Sequence, residues 1–185
     1  MRIVSFEAPD GASNLVGPDN VIAFNDVGIY VDGDDADNNT ITRNSIFRNT
    51  TLGIDLHDED DLWPGVTPND PDDADTGPNE QLNFPVLDLA TTASISGTAC
   101  AGCTVEIFVA EADASGYGQG KTFVGSGSVD GTGHFNVAVS GVKAGDEVTA
   151  TATDAHGNTS EFSANVVAQA PRLDVFLPLL VRQSP

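Results

Sequence analysis

Positive charge is scarce in this sequence. Lys and Arg together number 7 against 28 Asp and Glu in 185 residues, a formal net charge of −21. A surface of that sign repels phosphate backbones and anionic lipid, which excludes nucleic acid and favours cations and other proteins as partners. The same excess also serves simply to keep a chain soluble and separate. Aromatics are few, with one Trp (Trp63) and two Tyr, leaving little for stacking on sugar rings. No stretch approaches the roughly eighteen apolar residues of a membrane span, and the run from Val175 to Val181 is far too short. The opening Met1-Arg2-Ile3-Val4-Ser5-Phe6 has no apolar h-region, so an export signal is expected to lie outside this sequence.

What the sequence does have is repetition. Asn39, Asn44 and Asn49 stand at even spacing, and each is followed two residues later by Ile41, Ile46 or Thr51. The phrase Asn20-Val-Ile-Ala-Phe-Asn25 returns as Asn44-Ser-Ile-Phe-Arg-Asn49, about two dozen residues on. A period of that size means stacked units sharing one core. Laying the copies over each other places Val16 on Ile41, Ile22 on Ile46, Val27 on Leu52, Ile29 on Ile54 and Val31 on Leu56. Tyr30 then falls on Asp55 and Leu15 on Thr40, the variety expected of outward positions when side chains alternate. Each coil therefore reads as three short strands. Asparagine suits the corners because it tolerates left-handed backbone, and stacked amides form ladders. A pentapeptide-repeat helix shares the spacing but would need it sustained through Gly28 and Gly53. The pattern favours a parallel β-helix over residues 1–56, about two coils long.

Residues 57–83 break this pattern with four prolines, and ten acidic residues lie between Asp55 and Glu80. No Lys or Arg occurs from Asn49 through Gly120, so the segment has no local countercharge. Beyond it, seven short strands are expected: 84–89, 93–96, 104–110, 122–129, 134–140, 147–153 and 161–167. Alternation in Val105, Ile107 and Val109, in Phe135, Val137 and Val139, and in Val148, Ala150 and Ala152 predicts one buried and one wet face per strand. Turn residues separate them at Asp130-Gly-Thr-Gly133 and Lys143-Ala-Gly-Asp146. Seven such strands predict an immunoglobulin-like β-sandwich over 84–168, followed by a linker and an apolar tail over 169–185.

Gly65-Val-Thr-Pro-Asn-Asp70, Asp73-Ala-Asp-Thr-Gly-Pro-Asn79 and Asn83-Phe-Pro-Val86, coming after Leu52-Gly-Ile-Asp-Leu56, resemble a stretch found in large bacterial secreted proteins with right-handed parallel β-helix repeats. In that family the last coil passes through such an acidic linker into a β-sandwich. Val148-Thr-Ala-Thr-Ala-Thr-Asp154 with Gly157-Asn-Thr-Ser-Glu-Phe162 looks like that sandwich's ending. The resemblance covers residues 14–167 and implies an extracellular or cell-surface location. It transfers no catalytic residue.

Candidate chemistry is sparse. Asp58, Asp60, Asp61, Asn69, Asp70, Asp72, Asp73 and Asp75 are hard oxygen donors of the kind Ca²⁺ gathers from a flexible loop, although Asp-rich turns are also commonly just solvated. Cys100 and Cys103 have the spacing of zinc knuckles and redox motifs. Without a second pair or a thioredoxin-like pattern, a local disulfide is the better expectation. Arg43, Arg48 and Asp55 imitate the groove residues of β-helix lyases, but two coils make almost no groove, and no catalytic residue is assigned. The apolar tail residues Leu173, Val175, Phe176, Leu177, Leu179 and Val181 are a candidate donor strand for assembly with another copy or a neighbouring surface protein. The expected function is a non-catalytic extracellular structural module that self-associates head to tail. The competing expectation is a calcium-dependent glycan-binding or adhesion module.

Overall fold

The computed structural model describes residues 2–4, 13–57, 65–111 and 114–171, the first of these by backbone only. Donor-strand candidates Leu173 to Val181 and ligand candidates Asp58, Asp60 and Asp61 lie outside the described residues.

The first part consists of seven short strands: β1 (Arg2–Val4), β2 (Leu15–Val16), β3 (Val21–Ala23), β4 (Ile29–Asp32), β5 (Thr40–Ile41), β6 (Ser45–Phe47) and β7 (Ile54–His57). They pair in parallel as β1-β4-β7, β2-β5 and β3-β6. The registers put Val16 on Ile41, Ile22 on Ile46, Ile29 on Ile54 and Val31 on Leu56. All eight of these side chains are buried, and they form one apolar cluster. Stacked apolar residues thus fix the register, since a one-residue slip would turn every one of them outward.

Two expectations about this part change. The left-handed corners are not Asn39, Asn44 and Asn49 but the residues that precede the stacked asparagines: Asp19, Phe24, Asn38, Arg43 and Arg48, at φ 69, 62, 59, 49 and 53. With the bend taken one residue earlier, the asparagine side chain turns inward and bonds to the coil. Asn39 Nδ2 donates to the Ala36 carbonyl, Asn44 Nδ2 to Val16 and Asn49 Nδ2 to Ile22. Tyr30 and Asp55, expected to face water, are instead 9% and 1% exposed. The Tyr30 ring lies 5.3 Å from that of His57 on the neighbouring strand, and the turn Pro78–Gln81 packs on β4 and β7.

The remaining strands are β8 (Val86–Ala90), β9 (Ser94–Thr98), β10 (Thr104–Glu111), β11 (Gln119–Ser128), β12 (His134–Ala138), β13 (Glu147–Thr153) and β14 (Val166–Val167). They make two sheets, ordered β11-β10-β13-β14 and β12-β9-β8, with antiparallel pairing throughout. Ile95, Val105, Ile107, Phe135, Val137, Val148, Ala150 and Ala152 fill the space between them. The last strand is far shorter than the expected 161–167. Residues ahead of it bond sideways instead, with Ser160 N donating to Ala152 O, and Ala152 N and Ala150 N to the hydroxyls of Ser160 and Ser163. The first strand begins late because Asn69 clamps Phe84, accepting its N–H and donating to its carbonyl.

The expectation of one wet face fails for β10 and β13, where Glu106, Phe108, Thr149 and Thr151 are buried as well as the core residues between them. The second face of β10 meets the coil: Phe108 and Phe162 belong to the same apolar cluster as Val16, Ile29 and Ile54. Their rings meet edge to face at 5.6 Å. Gly53 exists for this contact, because a Cβ there would stand 2.8 Å from the Phe162 ring. Gly53→Ala is therefore expected to cost about 1–3 kcal/mol by overpacking. Thermal unfolding would measure it, and Phe162→Leu in the same chain should recover part of the loss.

Candidate functional site

Among the described residues, a dense arrangement of directed polar groups lies where the parallel strands β5–β7 meet the linker and the sandwich. A parallel strand at the end of a stack has a row of unpaired N–H groups, and burying them without partners is costly. Here side chains from later in the sequence receive them. Asn38 N donates to Asn158 Oδ1 at 2.6 Å, Asn39 N to Asn79 Oδ1 at 2.9 Å and Ile41 N to Thr159 Oγ1 at 3.0 Å. Arg43 N reaches Glu106 Oε2 at 2.9 Å, Asn49 N reaches Gln119 Oε1 at 2.9 Å and Leu56 N reaches Glu161 Oε1 at 3.0 Å. All six acceptors are at most 7% exposed.

Two of these acceptors also prolong the amide ladders. Asn14 Nδ2 donates to Asn39 Oδ1, Asn20 Nδ2 to Asn44 Oδ1 and Asn25 Nδ2 to Asn49 Oδ1, at 2.9, 3.0 and 3.0 Å. Below them, Asn79 Nδ2 donates to the Asn39 carbonyl, and Gln119 Oε1 accepts from Asn49 Nδ2 while Gln119 Nε2 donates back to the Asn49 carbonyl. Asn79 and Gln119 thus continue the hydrogen bonding of Asn39 and Asn49 on the side away from Asn14 and Asn25. Nothing in the sequence alternation marked Gln119, Glu106, Asn158, Thr159 or Glu161 for this work. The usable signal is a polar run, Asn158-Thr-Ser-Glu161, followed by Phe162, at a place where a surface turn would not need so large an apolar residue.

At the rim of this seam the scarce cations are already engaged. Arg43 lies 3.7 Å from Glu106 and over Phe123, Arg48 lies 3.2 Å from Glu111 and over Phe24, and Lys121 pairs with Glu111 over Phe47. Lys121, and then Arg48, hold the Glu111 carboxyl below the usual range. Asp55, the third member of the groove imitation, is buried on β7.

Of the five proposed ligands among the described residues, the acidic segment brings three together. Asp70, Asp73 and Asp75 each place one carboxylate oxygen within 4.8 Å of the others. Asp70 and Asp73 also accept backbone N–H groups, from Ala74 and Asn83 respectively. Asn69 is occupied by its clamp on Phe84. Asp72 sits at φ 65 in the turn Pro71–Asp73, outside the group of three. Burial raises the acid pKa of Asp73 and of Asp75, and nearby Asp70 raises both further. Asp37 is raised in the same way, by burial first and then by Asp35 and Asp154. Asp154 itself is lowered: burial pushes it up, but hydrogen bonds from Asn158, His156 and Gly157 outweigh that. Beside the group, a depression of about 400 Å³ is lined by Asp72, Asp73, Asn83, Phe84, Val86 and Cys100, among others. Cys100 and Cys103 form a disulfide with Cα atoms 5.5 Å apart, closing the turn before β10.

An all-β chain with a two-sheet sandwich over its second half is the class this geometry defines. Residues 85–169 match the family model described as a bacterial Ig domain, just under half of the chain. A solved structure described as the BSP domain of a biofilm-associated protein aligns with 49% of this chain at 20% identity and a TM-score of 0.36. The chain covers 15% of that protein chain's length. No curated protein matches it. Neither match indicates an enzyme family. Among the described residues, no helix is long and apolar enough to cross a membrane.

Proposed function

We propose that this chain is a non-catalytic extracellular module in which about two coils of a parallel β-helix end on an Ig-like domain that serves as their cap. The observation that carries this is the set of six coil N–H groups received by buried side chains from the linker and sandwich. Stacked repeats need a terminal unit that closes the core and satisfies the last edge, and Phe108, Phe162, Asn79 and Gln119 supply both. The bacterial Ig match, the disulfide and the acidic, lysine-poor composition support a cell-surface or secreted setting.

The head-to-tail filament narrows on this reading. Coil-on-coil stacking between copies needs a free lower end, and the sandwich occupies it. Association through Leu173 to Val181 is a separate route. Light scattering and electron microscopy of the purified chain, with and without residues 171–185, test it. Loss of polymer on truncation supports the tail route, whereas polymers of unchanged size rule it out.

A second reading, calcium-dependent adhesion, rests on the convergence of Asp70, Asp73 and Asp75 beside the depression at Phe84. Because burial and mutual repulsion raise the acid pKa values of Asp73 and Asp75 in the folded state, their ionised forms oppose folding at neutral pH. That penalty lifts as pH falls through the raised values and is gone near the ordinary value of 3.8. Asp75→Asn should therefore stabilise the calcium-free chain at pH 7 and give no gain near pH 4. If Ca²⁺ binds there, the sign reverses at pH 7 in millimolar calcium. Thermal unfolding in calcium and in chelator reads both, and an unreversed sign removes calcium from the account. A glycan array tests the adhesion part, since the structural reading predicts no selective sugar.

A further inference from the structure

The upper end of the coil differs from the lower one. Among the described residues, no strand pairs with the outer edges of β2 and β3, whereas β1 already lies parallel on β4 with Ile3 against Val31. Leu15, Val21 and Phe24 are 66%, 70% and 73% exposed, three of the six exposed large apolar residues among those described. A hollow of about 530 Å³ opens there, bounded by Leu15, Val16, Asn20, Val21, Ile22 and Asn25, among others.

We propose that this end is a docking surface for a further coil of the same asparagine-cornered repeat: an extended segment laid parallel on β2 and β3, with asparagines above Asn20 and Asn25. The proposal rests on the capped-coil reading and names its partner. Three features select the occupant. The β1–β4 pairing sets the parallel direction for this end. The exposed edges and apolar side chains call for strands whose alternate residues are apolar.

The third feature is the ladder's polarity. In each stacked pair the upper Nδ2 donates to the lower Oδ1. The topmost amides therefore offer Oδ1 upward, and among the described residues nothing donates to Oδ1 of Asn20 or Asn25. A segment presenting asparagine amides from above fits. A second copy does not: its lower end is plugged, and two upper ends brought together would set acceptor against acceptor and reverse the strand direction.

The 185-residue chain with an added segment tests this. A copy of residues 38–52 is joined ahead of Met1 through a flexible Gly/Ser linker, which raises the effective concentration of the segment to about millimolar. Hydrogen exchange of the β2 and β3 amides should slow at least about tenfold. The slowing should vanish when the added copy carries Asn44→Ala and Asn49→Ala. Unchanged exchange in the extended chain overturns the proposal, and so does an unextended chain that is already dimeric with β2 and β3 protected. Either failure leaves the lower seam untouched, because that seam is judged by variants at Phe162 and Asn49.

Discussion

Replacing Phe162 by alanine should destabilise the whole chain by about 3–5 kcal/mol, the range for emptying a buried aromatic site. The ring is 3% exposed, meets Phe108 edge to face, and fits between Gly53 and Gly120, where added Cβ atoms would collide with it. Its removal opens a cavity between the coil and β10, and the neighbours on both sides are held by backbone pairing and cannot close in. Urea denaturation followed by two probes, hydrogen exchange of the β10 and β13 amides as the sandwich signal and proteolysis within 13–57, should show both parts losing stability together. If only the sandwich signal shifts, Phe162 is a core residue of its own domain and no plug.

Asn49→Ala is expected to have the next largest effect. Asn49 accepts from Asn25 through its Oδ1, donates to Ile22 O, and is bonded to both ends of the Gln119 amide. The substitution removes four hydrogen bonds, two that Asn49 Oδ1 accepts from Asn25 and two that Nδ2 donates to the Ile22 carbonyl and Gln119 Oε1, at about 0.5–1.5 kcal/mol each. A loss of about 2–6 kcal/mol follows. Asn25→Ala, at the exposed top of the same ladder, should cost under about 1 kcal/mol by the same reasoning. A double-mutant cycle with Gln119→Ala should give a coupling of at least about 1 kcal/mol, as expected for partners in one buried network. Equal losses at Asn25 and Asn49 would mean that burial of the ladder is not what makes it matter.

Much of the parallel register could be read in advance because its information is periodic and local. Apolar residues recurring two dozen positions apart specify which residue lies on which, so Val16, Ile22, Ile29 and Val31 find their partners from sequence. The corners were harder to read. An asparagine before or after a bend gives the same spacing, and only backbone angles show that Phe24, Arg43 and Arg48 take the left-handed positions. Tyr30 and Asp55 looked like outward residues because alternation says nothing about what later covers a face.

The seam was almost invisible for a related reason. Gln119 and Asn49, or Glu161 and Leu56, are joined across 70 and 105 residues, and no periodicity links them. On β10, Glu106 and Phe108 occupied the face that alternation assigned to water, which holds for a free sandwich and fails for one packed on a coil. The acidic segment shows the opposite limit. Composition offered eight oxygen donors, but chain geometry decides which converge, and the clamp of Asn69 on Phe84 removes one that composition counts.

Native-state hydrogen exchange across a series of low denaturant concentrations tests the central claim most directly. If the Ig-like domain caps the coil, the amides of β5, β6 and β7 open with the same free energy as those of β10 and β13, and Phe162→Ala lowers both sets together. A coil that opens several kcal/mol before the sandwich, with a sandwich indifferent to Phe162→Ala, would contradict the cap and leave two units that merely share a chain.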